Sequence, residues 1–138
     1  MSISTDLTVA DVLIPPDSVP TVGPKTLFKK VLEEMTRRKL GIACVVGDDG
    51  RLLGIITDGD IRRRLLKDQK PFPALFADDA LDHAVRNPLT VRPETSLVDA
   101  VLKMEERKVW DLPVVAADGG FAGLLHLHPA IKALLKLA

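Results

Sequence analysis

The chain has 138 residues, 46% of them hydrophobic and 28% charged, with nineteen basic residues against nineteen acidic ones. Balanced charge argues against nonspecific nucleic-acid binding, which needs a basic field; a single cysteine, Cys44, rules out an intramolecular disulfide framework and points to a reducing compartment. No apolar run approaches the roughly 18–20 residues of a membrane span, and residues 1–6 lack the basic-then-apolar pattern of a signal peptide, so cytoplasm is the expected location and neither nucleic acid nor membrane an expected partner.

In chain order, residues 9–13 predict a small apolar helix, followed by Pro15-Pro16-Asp17. Pro20-Thr21-Val22 reads as a short strand ended by Gly23-Pro24. Phe28, Val31, Leu32 and Met35 recur at helical spacing, with Thr26 placed to cap that helix and Gly41 placed to end it after the basic turn Arg37-Arg38-Lys39. The apolar run 42–46 predicts a strand buried on both faces, Asp48-Asp49-Gly50 a hairpin turn, and residues 52–56 the return strand. Thr57 opens a second helix that runs through Leu66. Residues 67–77, with Pro71 and Pro73, read as a connector.

A second small helix is expected over 81–85 and a short strand over 89–91. Ser96-Leu97-Val98-Asp99 has the form of a capping box ahead of a helix carrying Ala100, Val101 and Met104. Residues 112–115, the turn Asp118-Gly119-Gly120 and residues 121–125 make another hairpin, and the last helix is expected from Pro129 to Leu137.

These elements are one β-α-β-β-α unit written twice. Residues 21–66 align with 90–135 at a constant offset of 69, and 14 of the 46 aligned positions are identical, a degree of self-similarity that marks a true internal repeat. The shared residues include Thr21/Thr90, Asp49/Asp118 and Gly54/Gly123. A unit of about 50 residues is marginal alone, so two α/β repeats packed with pseudo-twofold symmetry, with clefts between the halves, are the expected architecture. Repeat 1 is placed at 8–68, repeat 2 at 78–137 and the connector at 69–77.

The order of elements, and above all Gly54-Ile55-Ile56-Thr57-Asp58-Gly59-Asp60-Ile61, resembles a CBS domain, and two copies in tandem resemble a CBS pair, or Bateman module. More narrowly, the segments 35–41, 53–63 and Leu124-Leu125-His126-Leu127-His128 are similar to the C-terminal CBS pair of arabinose 5-phosphate isomerases, which serve lipopolysaccharide biosynthesis. The string Thr57-Asp58-Gly59-Asp60-Ile61-Arg62-Arg63 also resembles CBS pairs fused to sugar nucleotidyltransferases. The resemblance implies a regulatory module rather than an enzyme. No catalytic or metal residues are assigned and no cofactor is required. The implied ligand is a nucleotide or nucleotide-sugar (AMP or ATP, or CMP-Kdo as a downstream product) held in the inter-repeat cleft. The implied partners are a second copy, docked through the CBS helices, and a catalytic sugar isomerase domain in the same protein or in trans. A ligand-free dimerisation module is the alternative.

The resemblance places Thr57 against phosphate and Asp60 against two ribose hydroxyls. A carboxylate suits a vicinal diol because it offers two acceptor oxygens, and a helix start favours phosphate. Thr57-x-x-Asp60 is equally a capping box that simply starts a helix. Asp58 lies between them. Arg63 is directed at an anionic group on the functional reading and is part of a solvated helix face, with Arg62 and Arg64, on the bland one. Thr21 and Val22, Gly41, Ile42 and Ala43 line the first cleft by resemblance, and Thr90, Asp111, Leu112 and Pro113 the second. Position 57 is matched by His126 and position 60 by Pro129, so the second copy loses the ribose-binding carboxylate. His126 and His128, two apart, share a face if they lie on a strand, and without further ligands they do not predict a metal site. Cys44 reads as core, and Trp110 as either a stacking surface or an interface cover.

Overall fold

The computed structural model describes residues 6–135. The expectations for residues 1–5 and for Leu137 lie outside these. Two compact units form. The first is Asp17–Pro88; the second joins the described residues up to Pro16 with those from Leu89 onward.

The first unit holds β1 (Thr21–Val22), α1 (Phe28–Arg38), β2 (Ile42–Val46), β3 (Leu52–Thr57), α2 (Asp58–Lys67), α3 (Phe72–Phe76), α4 (Ala80–His83) and β4 (Val85–Arg86). Its sheet runs β1-β2-β3-β4, with β1 parallel to β2 and the other neighbours antiparallel. The continuous apolar strand β2 is central, and Ile42, Ala43, Cys44 and Val45 are buried as expected. Phe28, Val31 and Met35, one stripe of α1, pack with Val22, Ala43, Val45, Ile56, Leu75 and Ala80 into one core.

The second unit repeats this with α5 (Leu97–Arg107), β5 (Asp111–Val115), β6 (Phe121–His126) and α6 (Leu127–Leu134). β5 and β6 pair antiparallel, and each hairpin carries an irregularity at the same place, Val45/Val46 and Val114/Val115. The outer strands shrink to single bridges: Val91 parallel to Val114, and Ile14 antiparallel to Leu124. Val9, Val91, Leu97, Ala100, Met104, Leu112, Val114, Leu125, Ala130 and Leu134 form its core.

Each unit is completed by the leader that precedes the other repeat in sequence. In the first, Ala80 N–H donates to the Thr26 carbonyl at 2.7 Å and Phe28 N–H to the Asp78 carbonyl at 2.9 Å. In the second, Val9 N–H donates to the Thr95 carbonyl and Leu97 N–H to the Leu7 carbonyl, both at 2.9 Å. Thr26 and Thr95 are equivalent positions of the repeat. The leader's extended end then pairs with the hairpin, β4 with β3 and Ile14 with Leu124. This explains the shared glycines. A Cβ on Gly54 would stand 2.7 Å from the Val85 carbonyl oxygen, and one on Gly123, where φ is +141°, would collide with the Ile14 carbonyl oxygen.

Several local expectations are corrected. Thr26 does not cap α1: its hydroxyl accepts from Gly23 N–H at 3.0 Å, the N-cap is Leu27, and the Asp78 carbonyl serves Phe28 instead. Gly41 does not end α1: Lys39 takes the left-handed conformation at φ 57°, and Lys108 does the same after α5. The connector is not irregular throughout, since α3 forms between Pro71 and Ala77. The expected helix over 81–85 stops at His83, because Val85 joins the sheet. The strand over 89–91 is reduced to the bridge at Val91, and the last helix starts at Leu127 rather than Pro129.

Gly54→Ala should destabilise the first unit by about 1–3 kcal/mol, because a backbone carbonyl has to move. Gly23→Ala, whose added Cβ meets only the Thr26 hydroxyl at an ordinary 3.6 Å, should be close to neutral. Urea midpoints of the two variants check this.

Candidate functional site at the strand–helix corner

In both units the hairpin's second strand runs directly into a helix, and one bond fixes the corner. Asp58 N–H donates to the Gly41 carbonyl at 3.0 Å, and the equivalent Leu127 N–H donates to the Trp110 carbonyl at 2.9 Å. Ile42 lies opposite Thr57, and Asp111 opposite His126. The residues gathered there are where the units differ.

In the first unit Thr57 is the N-cap of α2 and forms a full capping box with Asp60. Asp60 N–H donates to Thr57 Oγ1 at 3.2 Å; Asp60 Oδ2 accepts from Thr57 N–H at 3.1 Å and from its hydroxyl at 2.8 Å. Asp60 Oδ1 accepts from Arg63 Nη2 at 2.7 Å. The capping reading of these residues is therefore realised, and the carboxylate is held in a fixed place with one oxygen engaged by an exposed side chain. The Asp58 carboxylate lies over Gly41: a Cβ there would stand 2.6 Å from Asp58 Oδ2.

Of the expected first-unit residues, Gly41, Ile42, Thr57, Asp58, Asp60 and Arg63 meet at this corner. Ile42 and Ala43 are buried, so only their main chain is available. Thr21 and Val22 pair with Cys44 and Val45, further along β2; Val22 is buried and Thr21 Oγ1 donates to the Val19 carbonyl at 2.9 Å.

The second unit has no side-chain cap at His126. Instead His126 Nδ1 lies 2.7 Å from Asp111 Oδ1. Asp111, expected to line the second cleft, thus places a carboxylate on the strand where Pro129 removes one from the helix. His128 stands edge-on to His126 at 5.5 Å and to Trp110 at 5.6 Å between ring centroids. The two histidines do not share a strand face, because Leu127 already begins α6. Trp110 is 61% exposed, whereas Leu112 and Pro113 are buried. Thr90 is half-buried beside Val91, whose N–H donates to the Pro113 carbonyl at 3.1 Å. Among the described residues no group of three or more His, Cys, Asp or Glu is placed to hold a metal ion.

Sequence reasoning missed the surroundings of Asp60. A cavity of about 190 Å³ is lined by Asp60, Arg63, Arg64, Lys67, His83 and Val85. His83 is buried, stacked on Phe28 at 4.2 Å, accepting from Arg64 Nε at 3.1 Å on Nδ1 and 2.8 Å from Asp78 Oδ2 on Nε2. Arg64 also donates to the Asp82 carbonyl and pairs with Asp68 at 3.2 Å. His83 and Val85 come from the leader of the other repeat, and no periodicity in the chain announces that placement.

The family model for the CBS domain matches the chain twice, over residues 9–67 and 71–135. The chain belongs to the CBS-domain family. A crystal structure of the CBS-pair protein CBSX2 from Arabidopsis thaliana matches this CBS pair with a TM-score of 0.80 at 31% identity, over 96% of this chain and 97% of that one. CBSX2 in complex with AMP matches with a TM-score of 0.82, also at 31% identity, over 94% of this chain and 97% of that one. Among curated proteins, arabinose 5-phosphate isomerase KdsD of Pseudomonas aeruginosa is 35% identical over 127 residues, 92% of this chain and 38% of that protein. KdsD of Yersinia pestis is 32% identical over 127 residues, covering 92% of this chain and 37% of that protein. The CBS pair thus spans a little over a third of the length of these relatives. Among the described residues no helix is long and apolar enough to cross a membrane.

Asp78 supplies a pH test of the network behind the cavity. Hydrogen bonds from Lys70 and then from His83 hold its carboxyl below the usual carboxylate range. A lowered folded-state value means that the stabilisation is complete above the unfolded value of about 4 and is lost as pH falls through the folded one. Urea midpoints between pH 3 and 7 should therefore drop on the acid side in the wild type, and Asp78→Asn should be less stable at pH 7 with a flatter acid limb.

Proposed function

We propose that this chain is a regulatory CBS pair that binds a nucleotide or nucleotide-sugar at the Thr57–Asp60 corner and biases a catalytic domain of the sugar-phosphate isomerase type, attached to it or acting in trans. On this reading the repeats are 8–68 and 78–137, joined by 69–77, and the module works as a homodimer. The observation that carries the proposal is Asp60 itself: a carboxylate pinned at the start of a ten-residue helix, beside the chain's change of direction, with a small cationic cavity next to it. A carboxylate so placed suits a ribose diol, and the helix start and cations suit phosphate. The AMP complex of CBSX2 supports the ligand class, and the likeness to KdsD supports the partner. CMP-Kdo is the candidate feedback ligand of such a partner, and AMP and ATP are the general ones. Regulation then requires the ligand to favour one state of the partner over another.

Pro129 and the Asp111–His126 pair favour a second reading, a dimerisation module without ligand, and one experiment separates the two. Thermal melts with AMP, ATP, CMP and CMP-Kdo should show a rise with at least one of them. At ten times the dissociation constant the ligand adds about 1.4 kcal/mol, a rise of roughly 4–6 °C. Asp60→Asn, which keeps an acceptor for Thr57 but removes the charge, should abolish the rise. Flat melts with all four ligands favour the dimerisation module, and a rise that survives Asp60→Asn moves the site elsewhere.

A further inference from the structure

We infer that Arg63 is a displaceable plug on Asp60, and that exchanging it for a ligand makes the corner select phosphorylated nucleotides over bare nucleosides. The inference rests on the nucleotide reading of the corner and assigns the source of its specificity.

Three of the roughly four acceptor sites of the Asp60 carboxylate are taken. Its Oδ2 is committed to Thr57 through two hydrogen bonds, at 3.1 and 2.8 Å, and these cannot be released without undoing the start of α2. Its Oδ1 accepts from Arg63 Nη2 at 2.7 Å. The one site left is on Oδ1, and a diol that donates both hydroxyls needs two, so it must displace Arg63. The displacement itself is easy: the Arg63 side chain is 62% exposed, and exposed ion pairs of this kind are worth only about 0–1 kcal/mol. What remains is a guanidinium beside a carboxylate whose free oxygen is now occupied. A neutral nucleoside leaves it without an anion. A nucleotide brings one, and Arg–phosphate contacts are strong and often two-pronged.

Three further features fit this role. The arm lies close over Gly59: a Cβ there would stand 3.1 Å from Arg63 Nη1 and 3.2 Å from Nη2. The cavity around the pair, about 190 Å³, is smaller than the roughly 300–1,000 Å³ of whole-ligand pockets and suits a phosphate-sized group. Arg64, in the same cavity, is tied to His83, Asp82 and Asp68, so the arm suited to move is Arg63. The second unit has lost the device, with Lys132 for Arg63, Pro129 for Asp60 and His128 for Gly59.

Calorimetric titration with adenosine and with AMP tests the exchange in the wild type and in Arg63→Ala. The wild type should prefer AMP by about tenfold or more, the size of one charge-assisted hydrogen bond. Arg63→Ala should weaken AMP and leave adenosine unchanged or tighter, narrowing the preference to about threefold or less. An AMP preference that is unchanged in Arg63→Ala, with AMP still bound, overturns the exchange and leaves the nucleotide reading standing. If neither ligand binds the wild type or the variant, the exchange falls, and the nucleotide reading is decided by the four-ligand melts; adenosine binding that appears only in Arg63→Ala supports the plug directly.

Discussion

The carboxylate of Asp60 holds the start of α2 through Thr57 and, with its other oxygen, holds Arg63 down across Gly59. On the proposed reading, what distinguishes the first unit as a binding surface follows from that double engagement. The cap sets where β3 ends and the helix begins, and so where the carboxylate stands relative to Gly41 and Ile42. The ion pair sets what a ligand must offer to reach it. A capping box and a binding carboxylate were alternative readings of the same four residues. In the structure the cap is formed on one oxygen while Arg63 holds the other, so on the proposed reading one carboxylate serves both purposes once Arg63 moves.

The second unit shows what happens when the same corner is kept and its chemistry replaced. The main-chain bond from Leu127 to Trp110 matches the one from Asp58 to Gly41, so the frame survives. Proline in the first helical turn is tolerated because that turn has N–H groups without intrahelical partners, but the carboxylate moves to Asp111 on the strand, where His126 meets it. An imidazole–carboxylate pair flanked by His128 and Trp110 has different donors and acceptors from a carboxylate–hydroxyl cap. Similar scaffolds therefore present unlike surfaces.

The repeat made much of the fold legible. The apolar run of β2, the helical stripe of Phe28, Val31 and Met35 and the Asp-Gly turns each specify their element locally, and Gly50 and Gly119 adopt φ of 84° and 91° as such turns require. Gly54 and Gly123 were visible as shared residues, but their reason was not, because it lies in a leader carbonyl supplied from a distant part of the chain. The same long-range pairing hid His83 and Val85 from the site, and it explains why Val85 is strand rather than helix. Thr57, Asp60 and the loss of both in the second copy could be read directly, since caps are short-range patterns. The Arg63–Asp60 pair is also a short-range pattern, three residues apart on a helix, and what the sequence could not supply was the cavity that the pair lines with His83 and Val85.

The central claim is that two similar units carry one nucleotide corner. The number of AMP molecules bound per chain, counted by equilibrium dialysis at saturation, tests it most directly. The account predicts one, lost in Asp60→Asn. Two equivalent AMP molecules per chain, with one remaining in that variant, would contradict it.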